Sequence, residues 1–149
     1  MKHIKIFIFI LLVSLLLSAC GSIPTPGENV PTLTVTNGIA SKIYITADLQ
    51  KLRQVQLEYK GVTYLGVPLS ILLSNAGYDP ALVGTVQAVT SDGASADYNL
   101  NLIQKPDTVL AYSLLDGPIS NDEGPFRMVL PGQVEKLNPR KVVKLLVTH

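Results

Sequence analysis

Apolar and polar residues alternate in short runs through most of the chain after residue 32. In residues 55–59 (VQLEY) the three apolar side chains fall on one side of an extended chain, a pattern typical of a strand with one buried face. Asn-Gly and Asp-Gly pairs at residues 37–38 and 92–93 favour tight turns between such runs. The pattern predicts about seven to nine strands. The other strand-like runs are residues 33–45, 86–102, 108–119, 125–132 and 141–147.

One stretch has helical rather than strand spacing. Residues 69–76 place apolar side chains three or four positions apart, and Pro68 and Gly77 suit the beginning and the end of a helix. The predicted apolar face consists of Leu69, Leu72, Leu73 and Ala76. Residues 46–52 (TADLQKL) favour one or two further helical turns, with Thr46 as the N-cap. Many strands with one clear helix and one short helix predict an α+β fold, with a mainly antiparallel sheet arranged as a barrel or sandwich.

The first 19 residues have the arrangement of a secretory signal, with two lysines ahead of a nearly all-apolar run at residues 6–17. That run is too short to span a membrane, which needs about 20 residues. The Leu-Ser-Ala-Cys sequence at residues 17–20 resembles the lipobox of bacterial lipoproteins, in which the cysteine sulfur receives a diacylglycerol before cleavage. We predict that residues 1–19 are a lipoprotein signal peptide and that Cys20 is lipidated. The alternative is an ordinary secretory signal that leaves an unmodified cysteine.

Residues 20–31 are rich in proline, glycine and small polar side chains, which predicts a flexible tether ahead of a folded domain at residues 32–149. Acyl chains on Cys20 would anchor the protein to a membrane outside the cytoplasm, because each buried methylene contributes about 0.8 kcal/mol. Gly21 and Ser22, which follow the cysteine, are not acidic and so give no retention signal. In a bacterium with two membranes, the expected location is therefore the outer membrane. The membrane is therefore one expected partner.

Composition and charge limit the number of domains and the classes of partner and site that the chain can have. The chain has 149 residues, which suits one folded domain. Its formal charge is +1, and removal of residues 1–19 leaves 10 basic and 11 acidic side chains, so we expect no nucleic-acid partner. Cys20 is the only cysteine, which excludes a disulfide framework, and a lipidated sulfur is neither a nucleophile nor a metal ligand.

The sequence predicts no catalytic residue and no metal ligand. His149, the last residue, is the only histidine after the signal, and no histidine or cysteine has metal-ligand spacing. A Ser-His-Asp arrangement would need an imidazole that is held rigidly. The adjacent carboxylates Asp122 and Glu123 are interpreted as a solvated loop.

The order of the segments resembles the oxidoreductase molybdopterin-binding domain of the sulfite oxidase family, from about Thr32 to His149. The motifs that carry the resemblance are Gly-Val-Pro-Leu at residues 66–69, Ser-Asp-Gly at 91–93 and GPFRMVLPG at 124–132. Each is a turn with a strand, so their order and spacing carry the assignment. The resemblance implies the family's fold and raises molybdopterin as a cofactor. It also places a cofactor cleft where the loop before Gly66, the Asp92-Gly93 hairpin and the loop after Pro131 meet.

The chain departs from the family pattern at the metal. Family enzymes hold molybdenum through a cysteine thiolate shortly before the Gly-Val-Pro-Leu motif, and residues 52–65 contain no cysteine. Arg127 and Arg140 match arginines of the family motifs and are candidates for binding the pterin phosphate, although we favour a structural role for both. We therefore expect no bound cofactor, and molybdopterin enters through the resemblance alone.

These observations lead to three hypotheses about function. The first is a non-catalytic binding module for a small polar ligand, because Lys60, Gln133, Glu135, Lys136 and Asn138 give the expected cleft a mixed and nearly neutral charge. The second is a molybdopterin-dependent oxidoreductase with an atypical metal site. The third is an accessory subunit of an envelope complex, with another envelope protein as its partner.

Overall fold

The computed structural model describes residues 29–149, so the signal peptide, Cys20 and most of the tether lie outside the described residues. Within this range nine strands form two sheets. The strands are β1 (Leu33–Thr36), β2 (Ser41–Tyr44), β3 (Val55–Tyr59), β4 (Val62–Pro68), β5 (Thr85–Thr90), β6 (Ser95–Asn99), β7 (Val109–Leu114), β8 (Arg127–Val129) and β9 (Val142–Thr148). One sheet has the order β2-β1-β9-β5-β6, and the other has the order β3-β4-β7-β8.

Neighbouring strands are antiparallel except for β1 and β9, which are parallel. The last strand of the chain therefore lies in the middle of the five-stranded sheet, between β1 and β5. The Asn37-Gly38 and Asp92-Gly93 pairs fall between β1 and β2 and between β5 and β6, and both glycines have a positive φ of 87°. The predicted α+β fold with a mainly antiparallel sheet is confirmed, and its arrangement is two sheets.

The helices are α1 (Thr46–Leu49), α2 (Leu69–Asn75) and α3 (Leu100–Ile103), with a 3-10 turn at Glu135–Leu137. Helix α2 is the clear helix of the sequence pattern, and its three leucines are fully buried. Gly77 follows its C-cap with a φ of 93°, as expected for a residue that ends a helix. The predicted N-cap of α1 is wrong by one residue, because Ile45 is the N-cap and its backbone N–H donates to Asp48 Oδ2 at 3.3 Å.

The second arm of the Asp92-Gly93 hairpin is shorter than its alternation predicts. Strand β6 ends at Asn99, and the residues that alternate beyond it form helix α3 instead. The side chain of Asn99 accepts a hydrogen bond from the backbone N–H of Leu102 at 3.1 Å, which caps the first turn. A local side-chain cap thus overrides a short strand pattern.

The main hydrophobic core contains inward-facing residues of both sheets together with the leucines of α2. A smaller cluster, formed by Tyr59, Tyr64, Ala111, Ile119 and Val129, comes from β3, β4, β7 and β8 of the four-stranded sheet and from the segment that follows β7. Because successive side chains of a strand point to opposite faces, β8 sends Met128 into the main core and Val129 into the smaller cluster. Arg127 therefore lies on the same face of the sheet as the smaller cluster.

Gly66 of the Gly-Val-Pro-Leu motif lies where β4 meets β7 at a shift of register. A Cβ atom at this position would overlap the backbone oxygen of Leu110 and would lie 2.8 Å from the Cα of Ala111. The backbones of the two strands approach too closely for any side chain, which gives the motif glycine a packing role. None of the helices within residues 29–149 combines the length and the apolar character that crossing a membrane requires.

Candidate functional site

Arg127 is the centre of a buried polar network on the smaller-cluster face of the four-stranded sheet. Its side chain is 1% exposed. Nη1 donates to Glu123 Oε1 at 2.6 Å and to Tyr64 Oη at 3.1 Å, and Nη2 donates to the backbone oxygen of Asn138 at 3.4 Å. The Tyr64 hydroxyl donates to Glu123 Oε2 at 3.0 Å, which closes a three-residue ring of hydrogen bonds.

Two tyrosine rings flank the guanidinium group of Arg127. Its Cζ atom lies 5.0 Å from the ring centroid of Tyr64 and 5.5 Å from that of Tyr59, within the range of cation–π attraction. Burial is the largest influence on the Tyr64 hydroxyl and raises its pKa. The hydroxyl therefore stays protonated and acts as a hydrogen-bond donor to Glu123.

Glu135 forms a second, exposed cluster beside the first. Its Oε2 accepts hydrogen bonds from Lys60 Nζ and from the Tyr59 hydroxyl, the latter at 2.9 Å. These bonds lower the pKa of Glu135, with Lys60 as the largest cause, and the same contact raises the pKa of Lys60. Arg140, which is half exposed, lies between both clusters, with 3.9 Å from Nε to Glu123 Oε1 and 3.7 Å from Nη2 to Glu135 Oε1.

An open cleft of about 390 Å³ lies between the Asp92-Gly93 hairpin and the segment that leads into β9. Three acidic and three basic side chains line it, together with small and neutral residues. The acidic residues are Asp92, Asp122 and Glu135, and the basic residues are Lys136, Arg140 and Lys141. The Asp92 carboxylate accepts a hydrogen bond from the Thr90 hydroxyl, which is the largest cause of its lowered pKa.

The structure places two of the three predicted segments around the cleft, the β5–β6 hairpin and the loop after Pro131. The segment before Gly66 does not line it, although Lys60 at the β3–β4 turn pairs with Glu135, which does. Gln133 does not line the cleft. Asn138 does, but its side chain holds the backbone in place, because Oδ1 accepts from Leu130 N–H at 2.6 Å and Nδ2 donates to Val134 O at 3.1 Å.

The interpretation of Asp122 and Glu123 as a solvated pair is wrong for Glu123. Its side chain is only 20% exposed and pairs with Arg127, whereas Asp122 lines the open cleft. Sequence reasoning also missed Tyr59 and Tyr64 as partners of Arg127. The available signal was a tyrosine on each of two adjacent strands and an arginine on a third strand of the same sheet, but using it requires the strand order. A role of Arg127 or Arg140 in binding a ligand stays a prediction.

Within the part of the chain that the structure describes, no three histidine, cysteine, aspartate or glutamate side chains are grouped as metal ligands would be. The donor set around the cleft consists of carboxylates, ammonium and guanidinium groups, amides and hydroxyls.

A comparison against protein families identifies the family to which this two-sheet fold belongs. The model of the oxidoreductase molybdopterin binding domain matches residues 32–149. The chain belongs to this family.

Comparison with solved structures gives a related result. The chain is similar to the sulfane dehydrogenase SoxCD from Paracoccus pantotrophus, with a TM-score of 0.67 and 18% sequence identity. The match covers 78% of this chain but only 38% of that chain, so this chain shares the fold of one part of that larger protein. Comparison with curated proteins finds no significant match.

The described residues do not fit the metal-binding end of molybdopterin. Strands β3 and β4 are joined by Lys60 and Gly61 alone, so the residues directly before Gly66 belong to β4 and offer hydroxyl and apolar side chains but no thiolate. Residues 32–149 also contain no cysteine. The two motif arginines are poorly suited to hold the phosphate end, because Arg127 is bound to Glu123 and two carboxylates flank Arg140. Among the described residues, Lys136 and Lys141 are the cations of the cleft without an ion pair, and three carboxylates line the cleft with them.

Proposed function

We propose that this protein is a lipid-anchored, extracytoplasmic binding module that uses the molybdopterin-binding fold without the family's metal chemistry. One observation carries the proposal: Glu123 binds the guanidinium group of Arg127 at 2.6 Å, so the arginine of the family motif serves a protein carboxylate. A bound phosphate would compete with this carboxylate for the same donors and would be repelled by it.

The proposed ligand is small and polar and carries little net charge. The lining of the cleft has as many acidic as basic side chains, so it offers no net field to concentrate an anion or a cation. Its volume of about 390 Å³ lies at the small end of the range of about 300–1,000 Å³ that is usual for ligand sites. Ligands of a few polar groups, held by hydrogen bonds to opposite charges, suit such a surface.

Family membership supports a second candidate function, a molybdopterin-dependent oxidoreductase with an atypical metal site. In that case oxygen or nitrogen ligands would have to replace the thiolate, which changes the preferences of the site for metals. The carboxylates of the cleft are the only charged oxygen donors that line it. The two candidates differ in an observable way, because only the second requires a bound pterin.

We expect the full-length chain, purified from a host that makes the pterin cofactor, to carry far less than one atom of molybdenum or tungsten per chain. We also expect no visible absorption from a pterin. Inorganic phosphate should raise the melting temperature no more than a chloride control of matched ionic strength, because both motif arginines already contact carboxylates and the lining has as many acidic as basic side chains. Elemental analysis and thermal denaturation measure these quantities.

Two results would restore the oxidoreductase to first place. One is a metal content near one atom per chain. The other is stabilisation by phosphate that disappears in Arg140→Ala, the more informative variant because it leaves the buried Arg127 intact.

The proposed location rests on the sequence of residues 1–31. The signal peptide and lipobox would place a diacylglycerol on Cys20, and the tether would leave the folded domain close to the membrane surface. Asn29 is the first residue that the structure describes, four residues before β1 begins at Leu33. The domain would therefore be held near the membrane by its N-terminal side.

Cys20→Ala should abolish labelling by a radioactive fatty acid and leave an uncleaved precursor, because only the thiol accepts the diacylglycerol. Membrane fractionation and electrophoretic mobility of the full-length chain measure both effects. Ser22→Ala serves as the control and should be labelled and processed normally. Mature-sized, labelled protein from the Cys20→Ala variant would contradict the lipid anchor.

A further inference from the structure

One side of the five-stranded sheet packs into the main core, and we call the opposite side the outer face. Val35 and Leu145 point into the core from β1 and β9, and the buried residues of all three helices belong to the same core. The residues next to them along each strand point the other way. On β1, β2 and β9 the outer face carries Thr34, Thr36, Ser41, Ile43, Lys144 and Leu146.

A groove of about 730 Å³ crosses the outer face beside the point where the described chain begins. Residues 29–32 form part of its wall. The other residues that line it are Thr34, Thr36, Ser41, Pro125, Val143 and Lys144. Among the described residues of this lining, Lys144 alone is charged. Hydroxyl groups and aliphatic side chains therefore make up most of the surface, unlike the charged cleft beside the Asp92-Gly93 hairpin.

Three large apolar side chains are exposed at this groove or next to it. Val30 is 53% exposed and Val143 is 38% exposed, and both line the groove. Ile43 is 62% exposed and lies opposite Thr34, which lines the groove as well. Single exposed aliphatic residues are normal on a protein surface, but several around one groove indicate a surface that contacts a partner.

The length of chain between Cys20 and the groove indicates which partner this surface faces. Cys20, the residue proposed to be lipidated, lies nine positions before Asn29, and Asn29 lines the groove. Nine residue steps span at most about 30 Å, which is about the diameter of a small domain. A bilayer that holds acyl chains on Cys20 is therefore always within reach of the groove. So short a connection gives the groove a high effective concentration of lipid, and weak contacts are then sufficient for docking.

We propose that the outer face docks on the lipid bilayer, with Val30, Ile43 and Val143 at the boundary between headgroups and acyl chains and Lys144 beside anionic headgroups. This inference rests on the lipid anchor of the proposed function. Buried apolar area and attraction of basic side chains to anionic lipids are the two contributions that hold a protein at this boundary. Docking would give the domain one fixed orientation on the membrane instead of leaving it free to turn on its tether.

The first experiment measures fluorescence quenching on the mature, lipidated chain in vesicles of phosphatidylethanolamine and phosphatidylglycerol. Cys20 is the only cysteine and becomes a thioether on lipidation, so a single introduced cysteine is the only free thiol. Bimane is attached to Ile43→Cys or to Val143→Cys. The matched control is Leu115→Cys, which is 56% exposed and follows β7 of the four-stranded sheet. Lipids with a nitroxide on the upper acyl chain should quench the labels at positions 43 and 143 at least about threefold more than the control label.

The second experiment keeps the label on Val143→Cys and changes the surface beside it. Ile43→Glu should reduce the quenching of this label by about twofold or more, because a carboxylate opposes insertion and is repelled by anionic headgroups. Leu82→Glu is the control and should leave the quenching unchanged. Both side chains are more than half exposed, so neither variant disturbs the core.

Three results would overturn the docking, and they are distinguishable. Equal quenching at positions 43, 143 and 115 in vesicles that retain the lipidated chain would overturn the docking and leave the anchor intact. A chain that carries no lipid on Cys20 would overturn both the anchor and the docking. A label at position 43 that responds to the density of protein but not to nitroxide lipids would show that the outer face contacts a second copy of this chain instead.

Discussion

Arg127→Ala is expected to lower the free energy of unfolding by about 3–5 kcal/mol, because it removes one partner of a buried ion pair. The substitution leaves Glu123 with only the Tyr64 hydroxyl and the more distant Arg140 as partners. It also opens a space between the rings of Tyr59 and Tyr64, which now lie against the guanidinium group. The Glu123 side chain is 20% exposed, so water can solvate part of the unpaired carboxylate. We therefore expect a loss of stability at the lower end of this range. Chemical denaturation followed by circular dichroism measures the change.

Arg140→Ala is the control for this measurement. It removes the same kind of side chain near the same glutamate, but Arg140 is half exposed and its contacts are 3.7 and 3.9 Å long. Exposed ion pairs contribute about 0–1 kcal/mol, so this variant should change stability little. A double replacement, Arg127→Met with Glu123→Gln, should recover part of the loss, since a buried pair removed together leaves no unpaired charge. If Arg127→Ala lowered the free energy of unfolding by less than about 1 kcal/mol, the buried network would not be a main source of stability for the four-stranded sheet.

The sequence was sufficient for most of the fold because its strands have one buried face. In β3 and β5 every second side chain points toward the interior, so the alternation of apolar and polar residues predicts both the strand and its buried face. The hairpin turns were equally readable, since Gly38 and Gly93 adopt the positive φ that such turns require. Strand β8 was the least readable strand, because all three of its residues are buried and no alternation separates its two faces.

The site could be predicted only in part, because its partners are far apart in sequence. Tyr64 and Arg127 are separated by 63 positions and meet only once β4, β7 and β8 are aligned. Glu123 and Arg127 are four residues apart, yet no helix connects them, so a helical spacing argument does not apply. Whether a carboxylate in the sequence Asn-Asp-Glu-Gly is solvated or buried depends on where the following strand lies in the sheet, which only the tertiary structure shows.

The loop at residues 121–124 contributes to the cleft beside the Asp92-Gly93 hairpin and to another open cleft, of about 410 Å³, beside helix α1. Asp122 lines the first, Asn121 and Gly124 line the other, and Glu123 binds Arg127. Gly124 has a φ of 75°, and a side chain there would overlap Lys141, so the loop is held closely against the start of β9. The buried ion pair thus holds a loop that contributes different residues to each cleft. A variant that breaks the pair is expected to disturb the lining of both.

Leu72→Ala is expected to lower the free energy of unfolding by about 2–5 kcal/mol, the usual range for a buried leucine that leaves a cavity. Leu72 is fully buried on α2, with Leu69 and Leu73 beside it in the main core. The helix is only seven residues long, so its stability comes from this packing rather than from its own hydrogen bonds. Loss of one anchor should therefore loosen the whole helix as well as create a cavity.

Leu82→Ala provides the comparison, because the same atoms are removed from a side chain that is 70% exposed. Its cost should stay within about 0.5 kcal/mol, as for most surface substitutions. The difference between the two leucine variants, measured by urea denaturation under identical conditions, isolates the contribution of burial. If Leu72→Ala also cost less than about 0.5 kcal/mol, α2 would not pack into the main core in solution.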